Sequence, residues 1–189
     1  MKPVYLLTGR PGTGKTSIIK QVAADPRIKA DGFFTEEIRE RGTRVGFRLV
    51  TLDGLETVLA HVNFNKRYHV GKYGVDVAAL EEVGVPALLT PARDGLTIVD
   101  EIGKMELLSA AFREAVKRIV DGGKKVLGTI TSDPHPDADA IKLHPNVKVI
   151  NLTREYYPQV VVDLYGWLGI TPNPDLRFTL YNKNARIVS

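Results

Sequence analysis

Apolar residues run almost unbroken through "PVYLL" near the start of the chain and again through "LTIV" before Asp100. Such short runs mark strands buried on both faces. "KPVYLLTG" is one, and "GTGKTSIIKQVAA" opens a helix directly behind it. "DGFFTEEIRE" and "TRVGFRLVTLDG" read as two strands joined at "RGTR", with "ETVLAHV" as a candidate third. "VDVAALEEVGVPAL" predicts a helix that ends near Gly84, and "GLTIVDEI" the strand after it. In "ELLSAAFREAVKRIVDGG" the residues Leu108, Phe112, Ala115, Val116, Ile119 and Val120 share one helical stripe, which Gly122-Gly123 stops. "KKVLGTIT" and "NVKVINLT" are strands around a weak helix, "DADAIKLH". "YYPQVVVDLYGWLGI" closes the pattern as a helix with Pro158 in its first turn, where proline is tolerated.

Strands that alternate with helices predict an α/β fold, a mostly parallel sheet with helices on both faces. One domain is expected over residues 1–169, with a β-rich hairpin insertion at about residues 32–62. The tail over residues 170–189 loses the periodicity and contains Pro172 and Pro174.

Composition changes this picture little. With 189 residues, 43% apolar and 25% charged, the chain is that of a globular domain with a real core. It has no cysteine, so disulfides and thiolate metal sites are excluded and a reducing, cytoplasmic compartment is expected. The apolar run at the N-terminus is too short for the core of a signal peptide, and no run reaches the length of a membrane helix. The net charge is +4, but the densest basic group, Arg39, Arg41, Arg44 and Arg48, is interleaved with Glu36, Glu37 and Glu40. That mixture reads as a solvated hairpin surface and gives no support to a nucleic-acid stripe.

The chemistry begins in "TGRPGTGKTS". Gly9, Arg10, Pro11, Gly12, Thr13, Gly14, Lys15 and Thr16 fill the phosphate-loop pattern G-x-x-x-x-G-K-[ST], between a strand and a helix. Glycines at 9, 12 and 14 let consecutive N–H groups turn toward an anion, and the helix aims its positive end at the same place. Lys15 is expected on the β- and γ-phosphates, and the Thr16 hydroxyl on Mg²⁺. Asp100 follows an apolar strand, where an acidic partner for that ion belongs. Glu101, the next residue, is expected to polarise a water for attack on the γ-phosphorus.

The blocks "DGFFTEEIRE", "VGFRLVTLDG", "VGKYGVDV", "VDEIGKMEL", "VLGTI" and "VKVINLTRE" follow "TGRPGTGKT" in this order. Together they resemble the cancer-related nucleoside-triphosphatase family, also described as thermostable nucleoside triphosphatases, over about Val4 to Trp167. The resemblance implies a three-layer RecA-like P-loop fold that hydrolyses ATP, GTP and other nucleoside triphosphates with Mg²⁺. It also implies that Gly9 to Thr16 bind the phosphates. Ile98, Val99, Asp100, Glu101, Ile102, Gly103, Lys104 and Met105 would form the second nucleotide motif.

Other positions stay open. Lys104 is either a cation for the γ-phosphate, brought in by a sharp turn at Gly103, or a solvated lysine. Thr129 and Thr131 end a strand beside Asp100, as sensors of the γ-phosphate or as ordinary strand residues. His135 lies in a loop on the ligand side. Asn151, Thr153 and Arg154 stand where this class of fold meets a base. His61, His69 and His144 lack metal-ligand spacing, and Tyr156, Tyr157 and Trp167 read as core. Asn65-Lys66 and Asn182-Lys183 lack the aspartate of a guanine-reading motif. Two other functions share the scaffold: a small-molecule or nucleoside kinase, and a nucleotide-gated module for RNA. The oligomeric state is not legible.

Overall fold

A computed structural model describes residues 1–89 and 95–171; the tail from residue 172, with Asn182-Lys183, lies outside them. Among the described residues, nine strands form one sheet, in the order β5-β6-β4-β3-β2-β7-β8-β1-β9. They are β1 (Val4–Thr8), β2 (Ala30–Glu40), β3 (Thr43–Thr51), β4 (Glu56–His61), β5 (Tyr68–Val70), β6 (Tyr73–Val75), β7 (Leu96–Ile102), β8 (Val126–Ile130) and β9 (Val147–Asn151). The helices are α1 (Lys15–Ala23), α2 (Val77–Ala79), α3 (Val85–Leu89), α4 (Ala110–Asp121), α5 (Pro136–Leu143) and α6 (Tyr157–Leu168).

The central strands are apolar on both sides because each side is covered. On β1, Val4 and Leu6 join a core with Phe112, Val116 and Val120 of α4. Tyr5 and Leu7, between them, join a second core with Ile18, Ile19 and Val22 of α1 and Val161, Leu164 and Trp167 of α6. The period of two along the strand therefore feeds two helical layers.

β2, β7, β8, β1 and β9 are parallel, so their C-terminal ends share one edge of the sheet. β2 outruns its neighbour. Its parallel pairing with β7 ends at Phe34 opposite Asp100, while β2 itself continues to Glu40. The excess pairs antiparallel with β3 and stands as a wall beside the loops at that edge.

The antiparallel part of the sheet joins the parallel core through β2, and β5 and β6 extend it to Val75. Two expectations need correction. The helix from Val77 does not stop at Gly84 but passes through a π turn, Leu80–Gly84, into α3. A Cβ at Gly84 would stand 2.8 Å from side-chain atoms of Leu49 and Leu80, so this glycine serves close packing rather than termination. Tyr156 is exposed, not core, whereas Trp167 packs on Tyr5 with ring centroids 5.4 Å apart.

Gly32 sets the approach of β2 to β7. Its φ is +108°, and a Cβ there would lie 1.9 Å from the Ile98 carbonyl oxygen. Gly54 also has positive φ but faces open space. Gly32→Ala should lose about 3 kcal/mol or more of stability and Gly54→Ala about 1 kcal/mol. Denaturant midpoints of the two variants check this, and equal losses would contradict it.

Candidate active site

β1 ends at Thr8, and the chain turns through Gly9–Gly14 into α1. Gly9, Gly12 and Gly14 have φ of 140°, 77° and 97°, values that side chains rarely adopt. Crowding adds to the demand at two of them. A Cβ at Gly9 would lie 2.5 Å from the Leu152 carbonyl oxygen, and one at Gly14 would lie 2.6 Å from the Tyr157 ring. Tyr157 thus braces the loop from beneath. No side chain caps α1, and its first turn carries no acid, so its N–H groups are left for an anion. The Lys15 ammonium donates to the carbonyls of Gly9 (2.8 Å) and Arg10 (3.1 Å), which holds it across the mouth of the loop.

Two strands away, β7 brings in its acids. Its register with β8 shifts between Val99 and Ile102, so Asp100 and Glu101 leave the ladder with β8, while Asp100 still pairs with Phe34 of β2. Asp100 is 1% exposed. Thr129 of β8 donates to its Oδ1 at 2.5 Å, while Oδ2 is buried with no hydrogen-bond partner. Burial pushes the Asp100 carboxyl up; the Thr129 and Thr16 hydroxyls and Lys15 pull the other way. An orphaned carboxylate oxygen facing a threonine hydroxyl is a hard-oxygen donor set, the kind that Mg²⁺ takes while keeping several waters and phosphate oxygens. The residues present fit that ion. Among the described residues no three His, Asp or Glu side chains cluster as a metal site, so phosphate and water would complete the shell.

Burial also pushes the Glu101 carboxyl up, with Asp100 and Asp133 adding to it and Lys15 opposing. Lys104 is on the pocket wall, but its ammonium is 2.7 Å from Asp133 and its side chain is 53% exposed. Gly103 is not in the left-handed region, so the expected sharp turn is not what requires a glycine there.

These groups open into one cavity of about 770 Å³. It begins at Gly9, Gly12, Lys15 and Thr16 and passes Glu101, Gly103, Lys104 and Met105. It continues past Thr131 and Asp133 to Thr35, Glu36, Glu37, Arg44 and Phe47 on the β2–β3 wall. Asp100, Ile98, Val99 and Ile102 lie buried behind it as the strand that carries the acids. Arg10 and Thr13 are in the loop, where the Thr13 hydroxyl donates to the Arg10 carbonyl. The arginines of the wall are paired as interleaved charge suggests: Arg39 and Arg44 with Glu37, and Arg48 with Glu36 and Glu56.

Other positions fall elsewhere. His135 caps α5, accepting from the Asp137 N–H. Asn151 approaches Gly9, and Thr153 accepts from the Tyr156 N–H; neither lines the cavity, nor does Arg154. Lys66 pairs with Asp76, and His144 with Asp121. Among the described residues no helix is long and apolar enough to cross a membrane.

The family model described as NTPase matches residues 4–162. The chain belongs to this nucleoside-triphosphatase family. It is 49% identical over 151 residues to the nucleoside-triphosphatase THEP1 of Thermotoga petrophila, covering 79% of this chain and 84% of that protein. It is 35% identical over 175 residues to the human cancer-related nucleoside-triphosphatase, covering 84% and 92%. The crystal structure of THEP1 from Aquifex aeolicus superposes with a TM-score of 0.80 at 35% identity, over 87% of this chain and 98% of that one. The family's fold is thus this chain's fold, with the phosphate loop at the shared sheet edge.

Glu106 was read from sequence only as the start of a helix. It is 5% exposed, in a 3₁₀ turn spanning Glu106–Leu108, and lines the cavity beside Glu101. An acid set between Met105 and Leu107-Leu108 is the signal available in the sequence. Burial, followed by the charge on Glu101, pushes its carboxyl up to about 8. The unfolded chain ionises this acid near the usual value of 4.5, before the folded one does. Between pH 4.5 and about 8 the folded state therefore holds the extra proton. Stability should fall across that window by up to roughly 1.4 kcal/mol per pH unit from this group. Glu106→Gln should flatten that slope in denaturant melts between pH 5 and 8; an unchanged slope would contradict the assignment.

Proposed function

We propose that the protein is a Mg²⁺-dependent nucleoside triphosphatase that releases phosphate from several nucleoside triphosphates. The observation that carries this reading is the single cavity in which Lys15 and the phosphate loop face Glu101, with the orphaned oxygen of Asp100 behind. Backbone N–H groups and Lys15 take up the phosphates, and Thr16 and Asp100 would hold the ion. When bound, Mg²⁺ supplies positive charge to the β- and γ-phosphate oxygens. Glu101 accepts the proton of a water as its oxygen attacks the γ-phosphorus, and the β–γ bridging oxygen leaves with the diphosphate. Lys104 exchanges Asp133 for the γ-phosphate. An exposed ion pair is worth only about 0–1 kcal/mol, so the exchange costs little. Broad base tolerance follows from specific contacts to phosphate alone, since Asn151, Thr153 and Arg154 stand outside the cavity.

One observation favours a second reading. The cavity runs beyond the γ-phosphate position to Thr35, Arg44 and Phe47, room that water does not need and the acceptor of a kinase would use. Incubation with Mg²⁺ and each common nucleoside triphosphate alone separates the two. Free phosphate from several of them supports the hydrolase; a strict need for an added acceptor supports the kinase.

Three variants should divide the roles. Glu101→Gln keeps Mg²⁺–nucleotide affinity within a few fold and loses most turnover. Asp100→Asn raises the Mg²⁺ concentration for half-activity. Lys104→Ala lowers kcat at least tenfold with little change in diphosphate affinity. Steady-state kinetics and nucleotide titrations check all three, and native turnover by Glu101→Gln would remove the base from the scheme.

A further inference from the structure

Two carboxyl groups close around Gly103. A Cβ at that residue would stand 3.1 Å from Glu101 Oε1 and 3.0 Å from Glu106 Oε2. Gly103 has no positive φ, so what the glycine supplies is the room in which these two acids meet. Glu106 comes to that place by a fixed route. The Leu107 N–H donates to the Gly103 carbonyl at 2.9 Å, and the Ser109 N–H donates to the Glu106 carbonyl at 3.1 Å. Ser109 is itself buried, caps α4 and donates through its hydroxyl to Glu81. The turn is therefore locked at both ends, and Glu106 is held beside Glu101 on the cavity wall.

Among the described residues the charges that act most strongly on Glu106 are those of Glu101 and Asp100, both acids, and backbone N–H groups of its own turn partly offset them. Burial beside two acids favours the neutral form of this carboxyl, which has one O–H to donate. Glu101 has the opposite requirement. As a base it must be a carboxylate with a lone pair aimed at the water, yet the Lys15 ammonium attracts it from the phosphate loop. A Glu101 that swings to Lys15 takes both groups away from the nucleotide.

Resting on the reading of Glu101 as the base, we propose that Glu106 is its positioning residue, donating a hydrogen bond to the Glu101 carboxylate directly or through one water. That donor holds Glu101 against the pull of Lys15 and leaves the second oxygen of Glu101 for the attacking water. The proton balance is simple. The water's proton passes to Glu101 and leaves with the phosphate or to solvent, while Glu106 keeps its own proton throughout. Because Glu106 acts through Glu101, its effect belongs in kcat and not in nucleotide affinity.

The test is a pair of substitutions at Glu106, each made in the native chain and in Glu101→Gln. Glu106→Gln keeps an N–H donor of the same shape and should retain kcat within about threefold. Glu106→Met fills the same space without a donor; it should bind Mg²⁺–ATP like the native protein and lower kcat at least tenfold. A merely structural Glu106 would be served at least as well by Met. In the Glu101→Gln background, where there is no carboxylate to position, Glu106→Met should change single-turnover rates by less than about twofold. Gly103→Ala, which puts a methyl group between the two acids, should also lower kcat with affinity kept.

Native kcat in Glu106→Met, or equal losses in Glu106→Gln and Glu106→Met, would overturn the proposal. So would the same loss from Glu106→Met in both backgrounds, which leaves Glu101 as base intact. A native rate for Glu101→Gln would overturn the base itself, and the positioning role with it.

Discussion

Asp100 is the constraint around which the site is arranged. A carboxylate taken out of water loses several kcal/mol of solvation unless charge or hydrogen bonds replace it. Here one oxygen has the Thr129 hydroxyl, and the other has no hydrogen-bond partner among the described residues. Burial raises this carboxyl, and positive charge beside it would favour the ionised form again. The fold brings that charge through one feature, the parallel edge at which β1 and β7 both end. It sets Lys15 and the Thr16 hydroxyl against Asp100 and leaves the N–H groups of α1 open to phosphate. In the proposed scheme nucleotide, metal and acid depend on one another.

The surrounding structure serves this arrangement by close approach. Gly32 brings β2 against Ile98, Gly14 rests on Tyr157, and Gly103 leaves room for Glu101 and Glu106. Each is a place where a methyl group would push apart two parts of the site. The over-long β2 has a further effect, since its free end and β3 wall the cavity on the side away from the phosphate loop.

Much of this was legible in the chain, because it rests on local pattern. The phosphate loop is a contiguous motif, and Asp100-Glu101 closes an apolar run. The helices announce their buried stripes, as Phe112, Ala115, Val116 and Val120 do on α4. What was missed depends on contacts far apart in sequence or on chemistry without a pattern. Gly84 looks like a helix stop, and only Leu49 packed against it shows otherwise. The three-residue strands β5 and β6 are too short for alternation to register. Tyr157 under Gly14 joins residues 143 positions apart. Glu106 looks like any first-turn helix acid until its burial is known, and Gly103 looks like a turn residue until the two carboxyls beside it are seen.

Hydrolysis in ¹⁸O-enriched water tests most directly the central claim, that a water attacks the γ-phosphorus. The account predicts one ¹⁸O per turnover in the inorganic phosphate and none in the diphosphate, read by mass spectrometry of both products. Label in the diphosphate, or unlabelled phosphate released from an acceptor, would contradict it.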